Sequence, residues 1–431
     1  MSDDSQAPQA IVIGAGIVGL YTAYYLRQAG WRVQVIDHGE PGMGCSAGNA
    51  GALSTASVAP LGLPGVVRQA PRMLLDPDGP LSVPPHYWLA AAPWLLRFVR
   101  ASSPEQVAAI SHALKQLLAP AIQHHQQAMQ DLGESALIQT TGQLHVYPDE
   151  KAAEKDSGGW ALRRQHGMHI EKLNQEQIRD LEPQVGPHYR LGYFMPDQGM
   201  VVNPLRQAQV LAAGLAARGV DFVRDRVTAL QAEGRRVTGV ACTQGTHKAD
   251  HIVVCAGAWS AGLLKGLGYR IPLETQRGYH LTLAHSGIEL RRPVVAADRK
   301  IFATPMEPGL RLAGTVEFGG LERGPTARRV ALLQKYGKLI FPDLNPAAKA
   351  TSWMGHRPCL PDSLPILGPA QSFGGLWFNF GHGHLGLTLS AVSGELLARA
   401  MQGLPPAIGL APYAPERFGA QAQALGRPQS H

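Results

Sequence analysis

Cysteine, aromatic residues and charge are all scarce in this chain of 431 residues, and each scarcity removes a class of function. The four cysteines, Cys45, Cys242, Cys255 and Cys359, form no CxxC pair and no cluster spacing, which argues against an iron–sulfur centre or a zinc site within the chain. No metal site is expected. Reduced thiols suit a cytoplasmic protein. Aromatic residues make up 6% of the chain and do not interleave with Lys and Arg, so a net charge of +7 does not point to nucleic acid. What remains of that charge is a mildly basic face, suited to anionic lipid or an acidic partner. No run of 18 apolar residues occurs, so no transmembrane helix is expected, and the polar, acidic first ten residues do not read as a signal peptide. Hydrophobic residues make up 45% of the sequence, and a chain of this length points to two domains.

What is there is organised around AIVIGAGIVGL, residues 10–20. A buried strand of Ile11, Val12 and Ile13 runs into Gly14, Gly16 and Gly19, and Ile17–Gln28 has the pattern of a helix. In that setting GxGxxG serves three needs: a tight turn, a close backbone approach to a pyrophosphate, and close packing of helix on strand. The phosphates would sit at the helix N-terminus. A second strand over 31–36 ends in Asp37, eighteen residues after Gly19, where a carboxylate can hold both hydroxyls of an adenosine ribose. The bland alternative, a glycine-rich packing turn, does not explain the acid.

The loop GMGCSAGNAG at 42–51 could wrap a phosphate or a flat ring with its amides, Ser46 and Asn49. Residues 54–103 are rich in proline and apolar side chains; HYWLAAAPWLLRFVRA at 86–101 is domain core, or else a lid or membrane-facing patch. A helix over 104–131 begins at the Ser103-Pro104 cap, a strand pair over 137–147 turns at Thr141-Gly142, and 150–180 is helical and charged. Another helix runs from Asn203-Pro204 to Gly219, followed by strands at 220–223, 227–232 and 237–243, with a turn at Glu233-Gly234. HIVVCAG at 251–257 is too apolar to face water and belongs at the centre of a parallel sheet. Antiparallel strands are expected at 276–284 and 301–318, a helix over 323–340, a last buried strand at 376–380, a helix over 387–401, and a loose tail after Gly419.

GAGIVG, CSAGNAG, VVCAGAWS (253–260), QRGYHLTL (276–283), GHRPCLPDSLPILG (355–368) and FNFGHGHLGLTLS (378–390) occur in one order. Together they resemble the D-amino-acid dehydrogenases of the glycine oxidase and D-amino-acid oxidase superfamily, over residues 8–418. The resemblance implies an α/β chain in which a Rossmann-like FAD-binding domain (1–57, 196–268 and 352–431) is interleaved with an antiparallel-sheet substrate-binding domain (58–195 and 269–351). It implies FAD, not NAD. Gly14, Gly16, Ile17, Val18 and Gly19 would hold the pyrophosphate and Asp37 the ribose. Ser46, Asn49, Ala50, Gly51 and Ala52 would run along the ribityl chain, while Val227 offers its backbone to adenine. Ala256, Gly257 and Trp259 would close over the cofactor, and the stretch Gly381, His382, Gly383, His384, Leu385, Gly386 and Leu387 would face the flavin N1 and C2 carbonyl. Relatives with covalent flavin carry a cysteine where this chain has Gly355, so non-covalent FAD is implied.

On the substrate side, Arg357 matches the family arginine that pairs with a substrate carboxylate, the competing reading being a structural ion pair. Tyr279 would add a hydrogen bond unless it only packs, and His384 would lie beside the substrate, His382 and His384 being more in character as flavin neighbours than as catalysts. Phe302 stands where glycine-oxidase-like relatives have tyrosine, which favours the dehydrogenase branch. The implied reaction is hydride transfer from the amino acid's α-carbon to flavin N5, then hydrolysis of the imine to a 2-oxo acid and ammonia. Electrons would leave to a quinone or another acceptor. The alternatives are an oxygen-using oxidase making hydrogen peroxide and a flavin subunit of a larger complex. In the stretch from Tyr87 to Arg100, Trp88, Trp94, Leu95, Leu96, Phe98 and Val99 near Arg97 and Arg100 suit peripheral contact with the cytoplasmic membrane, against a lid over the substrate domain.

Overall fold

The computed structural model describes residues 7–65 and 81–419. Its first layer is a six-stranded sheet in the order Asp221–Arg224, Arg32–Asp37, Gln9–Ile13, His251–Val254, Leu376–Phe380 and Ile366–Pro369. All neighbours are parallel except the last pair. Ile11, Val12, Val253 and Val254 are fully buried, as β-branched residues covered on both faces of a parallel sheet should be. On one face the helix Ile17–Gln28 packs against Gly386–Met401 so closely that a Cβ on Gly394 would stand 2.9 Å from the Tyr21 carbonyl. On the other lies a three-stranded antiparallel sheet, Val227–Glu233, Arg236–Cys242 and Thr246–Lys248, its first hairpin turning at Gly234 with φ +60°.

The second layer is a larger, mostly antiparallel sheet. Its strands run Lys349–Cys359, Glu274–Ala284, Gly309–Phe318, Ile301–Met306, Val294–Ala296, Gln143–Tyr147, Leu191–Met195 and Glu171–Asn174. The helix Ala327–Ile340 covers it, laying Leu332, Leu333 and Ile340 on Leu281, Leu283 and Leu312. No helix among the described residues is long and apolar enough to cross a membrane.

Several local expectations change. The helix expected over 104–131 is two, Pro104–Leu118 and Ala121–Asp131, because Pro120 has no N–H to continue the ladder. The strand pair expected at 137–147 does not form: Ile138–Gln139 pairs with Gly199–Val201, and Gln143–Tyr147 with Leu191–Met195, while the Gly142 N–H donates to the Gln198 carbonyl. The charged stretch 150–180 holds the helices Glu150–Glu154, Ser157–Gln165 and Gln175–Leu181, but also the strand Glu171–Asn174. The expected division into domains cuts across packing at two places. Leu114, Leu117, Leu118 and Met129, placed with the substrate domain, join the core of the first sheet with Leu20, Tyr21 and Leu396. The boundary at 352 falls inside the Lys349–Cys359 strand, which belongs to the second sheet. The expected tail after Gly419 and residues 66–80 of the proline-rich stretch lie outside the described residues.

Candidate cofactor and substrate site

A cavity of about 1070 Å³ opens at the carboxyl ends of Gln9–Ile13, His251–Val254 and Leu376–Phe380 and is closed on the far side by the second sheet. That is where an open α/β sheet binds its ligands. Three turns that follow these strands supply its wall: Gly14 to Val18, Ala256 with Gly257 and Trp259, and Gly381 to Leu387.

The three motif glycines answer to different constraints. Gly14 has φ +110°, and a Cβ there would stand 2.6 Å from the Cys255 carbonyl oxygen. Gly19 lies outside the cavity wall; its missing Cβ lets the helix approach the Gly14 carbonyl. A Cβ on Gly16 would meet only Ser46 Oγ at 3.6 Å, so the protein leaves room there, and that room is cavity. Ser46 Oγ accepts from the Ile17 N–H at 2.9 Å, which fixes the loop across the helix N-terminus. Asp37 accepts from the Ala15 N–H at 2.7 Å and the Gly39 N–H at 2.9 Å, holding its carboxylate in the wall with lone pairs to spare. This cradle, open at Gly16 and ending in a fixed acid, fits a dinucleotide.

The loop 42–51 is held from behind by side chains of the second sheet. Arg311 donates to the carbonyls of Ala47 at 3.1 Å and Asn49 at 2.6 Å, and His280 Nδ1 donates to that of Gly48 at 3.0 Å. The Trp353 ring stacks on His280 at 5.2 Å and fills the place a Gly48 side chain would need. Arg311 is 7% exposed, and burial pulls its guanidinium down to about 10. Asn49 Oδ1 accepts from the Gly51 N–H at 2.8 Å, so its side chain closes the loop. Ala50 and Ala52 line the cavity; Gly51 does not, and with φ +74° its Cβ would lie 2.6 Å from the Val201 carbonyl oxygen. Arg311 and Trp353 lie outside every motif, and His280, though inside QRGYHLTL, carries no local signal that its ring serves the loop 42–51.

Arg357 lies in the wall on the Lys349–Cys359 strand, its guanidinium in the space left by the absent side chain of Gly278. Nη1 donates to the Thr315 carbonyl at 3.3 Å. Thr315 has φ +57° and sits where the register with Gly278 and Tyr279 slips, so a bulge turns its carbonyl out of the ladder. Among the described residues Arg357 has no carboxylate partner. Tyr279 behaves differently from expectation. Its ring lines the cavity, but its hydroxyl donates to Glu317 Oε2 at 2.5 Å and accepts from the Thr326 N–H at 3.1 Å, because the buried Glu317 also binds Arg277 and draws it away.

His382 and His384 both line the wall. His382 is buried, its Nε2 has no hydrogen-bond partner among the described residues, and burial holds it at about 3. His384 shows surface, but that surface is cavity wall; enclosure by protein, then the charge of Arg357, pull it to about 4. Both rings are neutral at pH 7. Val227 is in the wall, and Trp259, 44% exposed, sets its ring edge on His356 at 5.6 Å. The Trp353 ring occupies the place of any side chain at Gly355, and Cys359 is buried, its thiol pushed up to about 12. Cys45 and Cys255 both line the cavity, Cys255 being buried with its thiol directed to Thr22 Oγ1.

The helix Trp88–Ala101 resolves into two faces. Trp94, Leu95, Phe98 and Val99 line the cavity, with Trp94 Nε1 donating to the Cys359 carbonyl at 3.2 Å. Leu89 (90%) and Leu96 (61%) face outward beside exposed Arg97 and Arg100.

Comparison with known proteins agrees with this geometry. The family described as FAD dependent oxidoreductase (DAO) matches residues 9–400. A D-amino-acid oxidase of Bradyrhizobium diazoefficiens is 37% identical over 413 residues, covering 94% of this chain and 98% of that protein. A D-amino acid dehydrogenase of Paramagnetospirillum magneticum is 31% identical over 419 residues, covering 95% and 99%. Among solved structures, glycine oxidase from Geobacillus kaustophilus shares the fold with a TM-score of 0.75 at 22% identity, covering 95% of this chain and 98% of that one. Iminodiacetate oxidase from a Chelativorans species does so with a TM-score of 0.72 at 24% identity, covering 94% and 98%.

Proposed function

This chain belongs to the FAD dependent oxidoreductase (DAO) family, and on that premise we propose that it oxidises a D-amino acid to its imine, which water hydrolyses to a 2-oxo acid and ammonia. The observation that carries the reading is Arg357, a cation in the wall of an otherwise mostly apolar cavity, without a carboxylate partner among the described residues. A half-buried charge left without a counter-ion is costly, and a substrate carboxylate is the group that would complete it. FAD, when bound, supplies the two-electron acceptor. Gly14, Gly16, Ile17 and Val18 would hold its pyrophosphate and Asp37 its ribose, with the loop braced by Arg311 against the flat ring. The wall's carboxylates, Asp37, Glu40 and Asp225, gather at the end of the Arg32–Asp37 strand, and His384 at about 4 is a weak base at pH 7. Orientation by Arg357, with water taking up protons, is therefore what this chain contributes to the reaction.

The test is anaerobic mixing of the yellow protein with D- and L-amino acids, cyclic imino acids and N-methyl amino acids, read as bleaching of flavin absorbance. Bleaching by D-amino acids above all is expected; indifference to every amino acid ends the proposal. Admitting oxygen or a quinone to the bleached enzyme then separates an oxidase from a dehydrogenase. We favour a quinone reached at the cytoplasmic membrane surface, because Leu89 and Leu96 stand exposed beside Arg97 and Arg100, which complement anionic lipid. Peroxide formation as fast as quinone reduction would replace that reading with the oxidase, and activity only after adding a second protein would make the chain one subunit of a larger complex. The FAD is read as non-covalent because Trp353 fills the space at Gly355; colour retained by the unfolded polypeptide would refute it and point to Cys45.

A further inference from the structure

An apolar cluster sits apart from the cores of both sheets: Val83, Ala91, Trp94, Phe318 and Cys359, with Leu95, Phe98 and Val316 packed on it. It has an open side. Val83, Trp94, Leu95, Phe98, Val316 and Phe318 all line the cavity. We infer that this cluster is the side-chain subsite, that it selects amino acids with bulky, uncharged, apolar side chains, and that Trp94 is its specificity-determining residue. The inference rests on Arg357 holding the substrate carboxylate.

The cluster and the arginine are built on the same strands. Cys359, whose carbonyl anchors the Trp94 indole at 3.2 Å, follows Arg357 by two positions and so shares its face. Thr315, whose carbonyl holds Arg357, directly precedes Val316 on the strand that carries Phe318. The carboxylate and side chain of an amino acid diverge from one carbon, so a carboxylate on Arg357 leaves the side chain to neighbouring wall. There Trp94 stacks on Phe98 at 5.2 Å and meets Phe318 edge-on at 5.5 Å, which fixes the indole in one orientation. Among the described residues a charged side chain finds no ready partner. Arg226 belongs to the Asp37 end, and Lys300 is held by both oxygens of Asp156 at 2.8 Å. Desolvating an unpaired charge opposes binding, whereas an aryl or branched alkyl group gains from it.

Three unreactive carboxylates test this on the FAD-loaded protein: propanoate, 3-phenylpropanoate and succinate, with Kd read from perturbation of the flavin spectrum. The expected order puts 3-phenylpropanoate about tenfold or more tighter than propanoate, with succinate no tighter than propanoate. Trp94→Ala should weaken 3-phenylpropanoate about tenfold and leave propanoate within about threefold. Equal affinity for all three in the unaltered protein overturns the subsite, and tightest binding by succinate reassigns it to Lys300. These results leave the amino-acid reading intact as long as Arg357→Leu abolishes binding. If none of the three binds, the carboxylate role of Arg357 and the subsite fall together. The turnover of D-phenylalanine and D-leucine over D-alanine, D-aspartate and D-lysine should follow the same order.

Discussion

At Arg357 the guanidinium is seated on Gly278 and tied to one bulged carbonyl, so its fork is aimed before any ligand arrives. Arg357→Leu should leave FAD bound while kcat/KM for the best substrate falls by about 2–4 kcal/mol, and Arg357→Lys should restore only part, since a point charge cannot reproduce the fork. Unchanged steady-state kinetics in Arg357→Leu would remove the carboxylate role. The motif glycines separate folding from binding. Gly19→Ala drives a methyl against the Gly14 carbonyl and should cost the cofactor-free protein about 3 kcal/mol or more in urea unfolding. Gly16→Ala meets only ordinary contact with Ser46 Oγ, so its unfolding should stay within about 0.5 kcal/mol of the parent while FAD occupancy collapses. Should the two variants lose stability equally, Gly16 is a packing glycine and the cradle is misread.

Among the elements, the Trp88–Ala101 helix shows why composition alone could not place its apolar residues. The large aromatic and aliphatic side chains at 87–99 look alike in sequence, yet a helical turn sorts them, sending Trp94, Leu95 and Phe98 to the cavity and Leu89 and Leu96 to the outside. The proposed membrane contact therefore falls to the outer pair. Leu89→Ser with Leu96→Ser should abolish flotation with anionic vesicles and leave anaerobic flavin reduction by substrate unchanged. If the doubly substituted protein floats as well as the parent, the outer face has no role at a lipid surface. The loop 42–51 teaches the converse: three consecutive carbonyls are claimed by Arg311 and His280, so its shape is imposed by the second sheet.

Across the whole molecule, several imidazoles are buried in the neutral form. Burial depresses His125 and His280 to about 4 and His382 to about 3, from an ordinary 6.5. Between those values and 6.5 the unfolded chain binds protons that the native chain refuses, so stability is full above pH 6.5 and is lost as pH falls. Each unit of depression is worth about 1.4 kcal/mol, enough for three such groups to dominate the acid limb. The denaturation midpoint in urea should drop steeply from pH 7 to pH 5, with His125, which joins Tyr21 and Gln207 to the Leu387 carbonyl, among the groups responsible. A midpoint that is flat over that range would mean these rings find protons without unfolding.

The amino-acid sequence by itself determined the nucleotide half of this protein. A buried β-branched strand, glycines at a tight turn, an amphipathic helix and Asp37 are requirements met within 30 residues, where backbone sterics and periodicity act directly. The order of the motifs carried the family, and with it Arg357. Tertiary structure alone decided who surrounds those groups. Arg311 reaches Ala47 across 264 positions, His280 reaches Gly48 across 232 and Trp94 reaches Cys359 across 265, contacts set by how one sheet registers against another element. It also decided that the Tyr279 hydroxyl serves Glu317 and that the 104–131 helices join the first core. Local rules fix what each segment becomes; which polar atoms remain free to meet a ligand depends on the partners that packing brings to them.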